Sequence, residues 1–359
     1  MNKLKDKFNT IRIIIVGSGI IGKSNAFELS KYGFDIKIID QEEKQNSSNA
    51  ALGILMGKIY QKRKGRSWIL REKSSELWPK WINILQKYNP KLIFEKPLFK
   101  ITSDLRKFKK LTTFVDNYPN DELEIVEANS YLLSHINKTF KGNKFQGIIS
   151  HQDGRIDPQI LLETLNRTLK TKNIKTINDQ VIQIEKKFQK WYLKLKSGEV
   201  LTSEIVILCN SLDSLKLINT ELHKIRLKPV LGQAIEIFHE DKNINFLSLP
   251  KLLNLNDKNL ITINKEKIII GSTDEYNFKP DEFYLNELFE FLEQKPNWLN
   301  KKNISRKWFG IRSRPEGEPS PLLKSLEKGL ILCSGFYKNG ILLAPACSDW
   351  VSKEVKKHI

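Results

Sequence analysis

The pattern of apolar and polar positions is clearest near the beginning of the chain. Ile11 to Val16 is a short run in which nearly every residue is apolar and β-branched, as is typical of a strand buried on both faces of a sheet. A helical pattern from about Ile21 to Lys31 follows, and Ile36 to Ile39 forms a second apolar strand that ends at Asp40. The order strand, helix, strand predicts the first unit of an α/β domain.

The rest of the chain alternates between the two kinds of pattern. Asp157 followed by Pro158 indicates the start of a helix, because aspartate is a favoured cap and proline a favoured first residue. Helices are predicted at Ser67 to Tyr88, Asp104 to Asn117, Gln159 to Lys170, Asp281 to Glu293 and Ile341 to Lys356. Strands are predicted at Leu92 to Thr102, Val181 to Lys186, Trp191 to Lys196, Glu204 to Cys209, Lys228 to Phe238, Lys267 to Gly271 and Gly329 to Gly335.

Three glycines occupy the turn between the first strand and the first helix. Gly17, Gly19 and Gly22 have the spacing G-x-G-x-x-G. The first allows a tight turn, the second lets a pyrophosphate approach the backbone, and the third lets helix and strand pack closely. Asp40 stands where an acidic side chain accepts hydrogen bonds from an adenosine ribose. We therefore expect a dinucleotide site, although the motif does not separate FAD from NAD.

A cluster of small residues favours one of those dinucleotides. Ser47 to Gly53 contains serines, alanines and a glycine, and small side chains with free amides would let a flat cofactor lie against the backbone. A serine-capped helix start would give the same pattern. Because an NAD enzyme has no special need for this segment, the cluster favours FAD.

Length and charge add two expectations. With 359 residues the chain is longer than one compact core usually holds, so two domains are expected. The net charge of +19 fits either an RNA or anionic-membrane partner or a solvated lysine-rich surface, and we favour the surface. The densest basic stretch is Lys58 to Lys73, with Lys62, Arg63, Lys64, Arg66 and Arg71.

Cysteines and histidines give no sign of a metal site. Cys209, Cys333 and Cys347 are dispersed, which indicates reduced thiols of a cytoplasmic protein. The 5 histidines lack the spacing of metal ligands. Met1 to Thr10 lacks the apolar core of a secretory signal, and no stretch approaches the roughly 20 apolar residues of a membrane span.

Several motifs follow one another in a fixed order along nearly the whole chain. They are Gly17 to Gly22, Ser48 to Gly53, Gly154 to Pro158, Pro229 to Gln233 (P-V-L-G-Q), Ile270 to Thr273 (I-G-S-T), Trp308 to Arg312 (W-F-G-I-R) and Gly335 to Pro345 (G-F-Y-K-N-G-I-L-L-A-P). In this order they resemble the D-amino-acid oxidase superfamily of FAD-dependent oxidoreductases, and glycine oxidase most closely. The last segment is long and quite specific.

The resemblance implies that FAD is the cofactor and is stretched across the first domain. It assigns the ribose to Asp40, the adenine to the backbone of Val181, and the flavin's pyrimidine end to the amides of 340–342, where a helix N-terminus would stabilise negative charge. No metal is expected. The implied cofactor-binding residues are Gly17, Ser18, Gly19, Ile20, Ile21, Gly22, Asp40, Gln41, Ser47, Ser48, Asn49, Ala50, Ala51, Gly53, Ile54, Val181, Asn210, Arg312, Gly335, Lys338, Asn339, Gly340, Ile341 and Leu342.

Two side chains have implied catalytic roles. Arg312 matches the family arginine that holds the substrate carboxylate, since a guanidinium can fork onto a carboxylate and fix the reacting carbon. Arg314 is the local alternative. Lys338 stands where glycine oxidases often have a second carboxylate-binding arginine, and a lysine keeps the charge but loses the fork.

Two other departures from the family leave the substrate open. Ser211 replaces a glycine that usually follows the strand ending at Cys209, and 260–263 lacks the tyrosine that glycine oxidases place over the substrate. Tyr276 or Tyr337 could serve instead, but nothing in the sequence chooses between them.

The expected fold is α/β, with a Rossmann-type FAD-binding domain formed by 10-85, 148-222 and 300-359. An antiparallel-sheet substrate domain is expected at 86-147 and 223-299. The expected activity is oxidation of the C–N bond of a small amino acid or secondary amine by hydride transfer to flavin, with oxygen or a quinone as the acceptor.

Three alternatives stay open beside this activity. They are a quinone- or carrier-linked amino acid dehydrogenase, oxidation of a glycine-like group on tRNA, and a flavin-binding protein without turnover. Apart from tRNA we expect no nucleic-acid partner, and the sequence leaves homo-oligomerisation open.

Overall fold

Two large sheets, with helices packed against them, organise the chain. The computed structural model describes residues 11–41, 46–140 and 143–359, so the predicted lack of a signal in residues 1–10 lies outside the described residues. The described strands are β1 (Arg12–Val16), β2 (Asp35–Asp40), β3 (Ile54–Leu55), β4 (Phe94–Glu95), β5 (Leu98–Thr102), β6 (Leu123–Val126), β7 (Gln146–Ser150), β8 (Gly154–Ile156), β9 (Lys175–Asn178), β10 (Val181–Lys187), β11 (Lys190–Leu195), β12 (Val200–Ser203), β13 (Ile205–Leu208), β14 (Leu227–Phe238), β15 (Leu252–Leu255), β16 (Lys258–Thr262), β17 (Lys267–Gly271), β18 (Ile304–Pro315), β19 (Leu322–Glu327) and β20 (Leu330–Ser334). The described α-helices are α1 (Ile20–Leu29), α2 (Ser47–Ala50), α3 (Gly65–Leu85), α4 (Leu105–Asn117), α5 (Tyr131–Thr139), α6 (Pro158–Thr171), α7 (Glu282–Asn286) and α8 (Gly340–Lys357).

The first sheet has the strand order β19-β20-β13-β1-β2-β9. Strand β1 lies at its centre and pairs in parallel with β13 and β2. Ile13 and Ile15 pack into a core shared with α1 and α8, whereas Ile14 and Val16 pack into a second core with Trp191 of β11. Both faces of β1 are therefore buried, as its apolar sequence predicts.

The second sheet has the order β18-β14-β17-β16-β15-β5-β7-β6 and is mostly antiparallel. Its longest pairing joins β14 to β18, with Val230 opposite Arg312. The predicted α/β class with an antiparallel second sheet is confirmed. Strands β7 and β18 belong to this second sheet. The sequence instead predicts that 148-222, which includes most of β7, and 300-359, which includes β18, form part of the FAD domain. The domain boundaries stay a prediction.

One predicted helix is much shorter than its pattern suggests. The apolar spacing predicts a helix from Asp281 to Glu293, but α7 ends at Asn286 and turns follow it. Leu288, Phe289 and Leu292 are still buried in the core beneath the second sheet. The helical spacing therefore marks positions that pack inward from successive turns, and the prediction of a continuous helix was wrong.

The three arginines of the basic stretch make internal contacts. The guanidinium of Arg63 lies 3.8 Å from the ring centroid of Tyr118 and near Trp68 and Phe114. It forms an ion pair with buried Asp121, which also pairs with Lys58 at 3.1 Å.

Arg66 donates to the carbonyl oxygens of Pro319 and Pro321, and Arg71 donates to that of Met56. Part of the basic charge thus stabilises the fold.

We predict that Arg63→Met lowers the free energy of unfolding by about 3 kcal/mol, because it leaves the buried Asp121 carboxylate with one cation fewer. Urea denaturation followed by circular dichroism would measure this loss. The matched control is Arg167→Met on α6, whose ion pair with Glu163 has both side chains more than half exposed. That change should stay within about 0.5 kcal/mol of the parent, and equal losses for the two variants would contradict the prediction.

Candidate active site

A cavity of about 590 Å³ lies where the two sheets meet. Its walls come from the ends of β1, β2, β13 and β20 in the first sheet and from β14 and β18 in the second. Because parallel strands present their carboxyl ends at one edge of a sheet, this edge is where such folds bind ligands. The volume falls in the range of about 300–1,000 Å³ that is usual for cofactor and small-molecule sites.

The glycine-rich turn forms one end of the cavity. Gly17 adopts φ +101°, a conformation that disfavours any side chain. A Cβ on Gly22 would lie 1.8 Å from the Gly17 carbonyl oxygen, so α1 can cross β1 this closely only with glycine there. The N-terminus of α1 therefore faces the cavity, as an anion site requires. Ile20 N donates to Ser48 Oγ at 2.9 Å, which ties this turn to α2.

Asp40 closes β2 beside the same turn. Its Oδ2 accepts the backbone N–H of Ser18 at 2.5 Å, and its side chain lines the cavity. The carboxylate is thus held where it can also accept from a ribose hydroxyl.

The N-terminus of α8 lies beside that of α1, since a Cβ on Gly340 would be 3.6 Å from Ile20 Cγ2. Gly340, Ile341 and Leu342 line the cavity. Arg71 donates to the preceding Asn339 side chain, from Nη2 to Oδ1 at 2.8 Å, and burial lowers its pKa. No motif identified Arg71, yet this contact fixes where α8 begins.

The segment that contains α2 separates the first sheet from β18. Trp308 Nε1 donates to the Ala50 carbonyl oxygen at 3.1 Å. A Cβ on Gly310 would lie 2.6 Å from the Cβ of Ala50. The tryptophan and glycine of the W-F-G-I-R motif therefore bring β18 directly against the small-residue segment, and Arg312 follows two residues later.

Arg312 lies inside the cavity against Gly232 of β14. A Cβ at Gly232 would lie 1.9 Å from Nη2, so the guanidinium covers the bare backbone. Nη1 donates to the Thr273 carbonyl oxygen at 3.2 Å and to Asp274 Oδ1 at 3.1 Å, and Nη2 donates to Ser272 Oγ at 2.6 Å. Burial lowers the pKa of Arg312 and neighbouring anions, Asp274 first, oppose this shift. An arginine in such a setting stays charged.

Asp274 joins Arg312 to Lys338. Its Oδ2 accepts from Lys338 Nζ at 2.5 Å, and its Oδ1 accepts from the Tyr337 hydroxyl at 3.3 Å. Burial and the Asp274 charge raise the pKa of Tyr337 to about 12, so its phenol stays a donor. Arg314 lies farther out and bonds the Tyr276 hydroxyl. Of the two candidate arginines, Arg312 is the one that lines the cavity.

Most of the predicted site residues line this one cavity. Those that do are Gly17, Gly19, Ile20, Ile21, Asp40, Gln41, Ser47, Ser48, Ala50, Ala51, Gly53, Ile54, Val181, Asn210, Arg312, Lys338, Gly340, Ile341 and Leu342. Ser18, Gly22, Asn49, Gly335 and Asn339 are not among the lining residues. Ser18, Gly22 and Asn339 support the wall through the contacts described above, Asn49 is exposed, and Gly335 forms a turn at φ +66°.

Sequence reasoning missed part of the lining. It also missed Asp274, which contacts Arg312 and Lys338 but is not itself among the lining residues, because its role depends on strands that are distant in sequence. Asn259 of β16 lines the cavity directly before 260–263, the segment that lacks the tyrosine of glycine oxidases. Ser211, noted as a replacement for glycine, adopts φ +58°, the region that favours glycine. Of the two candidate tyrosines, Tyr337 lines the cavity and Tyr276 is not among the lining residues. Other lining residues that the sequence did not indicate include Asp179, Gln180, Ile182, Asp213, Lys216, Leu217, Gly232, Ala234, Ser272 and Phe278.

Comparison with known proteins gives the family. The model of the FAD dependent oxidoreductase family (DAO) matches residues 12–354, so the chain belongs to this family. The cavity fits FAD, because it has a glycine cradle that a Cβ would fill and an acid at the end of β2. The protein is therefore an FAD-dependent oxidoreductase.

Solved structures share the whole fold. Glycine oxidase from Bacillus cereus ATCC 14579 is 18% identical with a TM-score of 0.81, and the match covers 97% of this chain and 95% of that one. Glycine oxidase from Geobacillus kaustophilus is 19% identical with the same TM-score and the same coverage, 97% and 95%. Iminodiacetate oxidase from Chelativorans sp. BNC1 is 16% identical with a TM-score of 0.78, covering 96% and 95%. No curated protein sequence matches the chain significantly.

Neither a membrane-spanning helix nor a metal cluster is found within the described residues. In 11–41, 46–140 and 143–359, no helix is long and apolar enough to cross a membrane. In the same ranges no group of three or more histidine, cysteine or acidic side chains is placed to hold a metal ion.

We predict that Asp40→Ala weakens FAD binding by about 10- to 100-fold, because it removes an acceptor for the ribose and leaves the Ser18 amide without its carboxylate. Titration of the apoprotein with FAD, followed by flavin fluorescence, measures the dissociation constant.

The control is Asp35→Ala at the opposite end of β2, where the carboxylate pairs with Arg12 on the surface. FAD affinity should be unchanged in that variant. Parental affinity in Asp40→Ala would show that the acid at this strand end does not hold the ribose.

Proposed function

We propose that this flavoprotein oxidises the C–N bond of a small amino acid or secondary amine. The observation that carries the proposal is the position of Arg312, whose side chain is only 14% exposed and lines the cavity that also contains the dinucleotide cradle. A carboxylate is the ligand that such a fork binds best.

The substrates of the structural neighbours support this choice. Glycine and iminodiacetate, named for two of these oxidases, both carry a carboxylate next to the carbon that bears the amine. At 16–19% identity the neighbours share the fold, so the substrate of this chain is inferred from Arg312 and Lys338.

The chain's residues would position the substrate and stabilise charge. Bound FAD supplies a hydride acceptor and so the oxidising power. Arg312 and Lys338 would hold the substrate carboxylate, which fixes the reacting C–H against the cofactor. The N-terminus of α8 would stabilise negative charge at the pyrimidine end of the ring. Either oxygen or a quinone would complete the cycle, with the imine hydrolysing in water.

We predict that Arg312→Lys lowers kcat/KM by about 30- to 1,000-fold, because it keeps the charge but loses the two-pronged geometry. Anaerobic mixing with a panel of amino acids and secondary amines, followed by bleaching of the flavin absorbance, identifies the substrate. Steady-state assays with oxygen or an artificial quinone then measure the variants.

Arg314→Lys is the matched control, since Arg314 lies two residues along the same strand and contacts Tyr276 outside the cavity. Its effect should be mild, and both variants should keep their FAD. A severe loss in Arg314→Lys with normal turnover in Arg312→Lys would move the carboxylate site to Arg314. Normal turnover in both would mean that the substrate places no carboxylate here.

A further inference from the structure

We propose that Asp274 is a specificity-determining residue that competes with the substrate carboxylate for Arg312 and Lys338. The inference rests on the proposed function, since it concerns the same carboxylate site. Its consequence is weaker binding of every substrate carboxylate, a penalty that the apolar contacts of a larger substrate can offset.

The first argument is that Asp274 already forms ion pairs with both cations of the site, Arg312 and Lys338. One carboxylate oxygen accepts from Arg312 and the other from Lys338. A substrate carboxylate that approached the same two cations would either displace Asp274 or lie beside it. Displacement loses two charge-assisted hydrogen bonds, and coexistence places two like charges in contact. Both outcomes weaken the binding of a carboxylate.

The second argument is that the backbone of Asp274 is fixed by the contacts of its neighbour Glu275, so that only the side chain of Asp274 is free to rotate. Glu275, the next residue, is fully buried and pairs with Leu231 of β14 through both backbone groups, at 2.7 and 2.9 Å. Its carboxylate accepts from Gln233 Nε2 at 2.9 Å and from the backbone N–H of Asp281 at 3.0 Å. Asp274 can therefore leave the cations by rotating its side chain, while its backbone stays fixed.

The third argument concerns what can offset this penalty. A glycine-sized ligand has little besides its carboxylate and amine with which to bind. A larger substrate gains apolar contact, and the mouth of the cavity offers it an exposed aromatic surface. Phe278 lines the cavity and is 62% exposed. Burying such a ring against a substrate side chain is favourable.

The test measures carboxylate binding without turnover. Acetate serves as a glycine-sized carboxylate and acetamide as its neutral counterpart, and each is titrated into the FAD-loaded protein while the flavin difference spectrum is recorded. We expect Asp274→Asn to bind acetate about 10- to 100-fold more tightly than the parent, with acetamide binding unchanged. Adding Arg312→Lys to Asp274→Asn should abolish the gain.

The matched control is Asp257→Asn, because Asp257 also lies between two cations, Lys100 and Lys107, but neither of these lines the cavity. Acetate affinity should equal that of the parent in this variant. If Asp274→Asn loses its FAD, Asp274→Ser provides the same removal of charge with a smaller side chain.

Unchanged or weaker acetate binding in the Asp274 variants would overturn the proposal, since it would mean that Asp274 orients Arg312 and does not compete. Turnover provides the second readout, in which Asp274→Asn should raise kcat/KM for amino acids, glycine included, and leave kcat/KM for an amine without a carboxylate unchanged. Failure of the proposed function is recognised separately, by a panel of amines that leaves the parent flavin oxidised, and the acetate titration still reports on Asp274 in that case.

Discussion

The parallel pairing of β1 with β2 and β13, and of β13 with β20, is the constraint on which the rest of the structure depends. Parallel strands end at the same edge, so the turn after β1, the acid after β2 and the residues after β13 and β20 meet there. Helices α1 and α8 start from that edge, and both direct their N-termini into one cavity. Segments as far apart in sequence as Gly17 and Leu342 are brought to one cavity in this way.

The second sheet reaches this edge only because side chains are missing at defined positions. Gly310 lets β18 approach the small-residue segment, and Gly232 leaves a bare strip of backbone under the Arg312 guanidinium. The separation between the cofactor cradle and the cation is therefore set by backbone contact. The Arg312 guanidinium, packed on this backbone, has little freedom to move, and a fixed cation is needed to orient a small substrate.

Local signals account for what the sequence could predict. The β1–α1–β2 unit was predictable because apolar periodicity, glycines and Asp40 all lie within one short stretch. The place of Arg312 in the cavity was predictable because the motif from Trp308 to Arg312 resembles that of the family. The Asp274 contacts with Arg312 and Lys338 were not, since they depend on the register of β14 against both β17 and β18. The Arg71–Asn339 contact spans 268 residues and has no local signal. The predicted length of α7 was wrong although its signal is local, because a series of turns can bury the same apolar positions as a helix.

Asp274 and Glu275 are adjacent carboxylates with opposite constraints. The second is bonded on all sides by β14 and the start of α7, so the fold depends on its identity. The first has its backbone fixed by that same network, while its partly exposed side chain bonds Arg312, Tyr337 and Lys338, which line the cavity. A single base change at position 274 can therefore alter the charge of the site without disturbing the sheet. Within this scaffold, substrate preference and folding are encoded in neighbouring codons, and selection can act on one while it preserves the other.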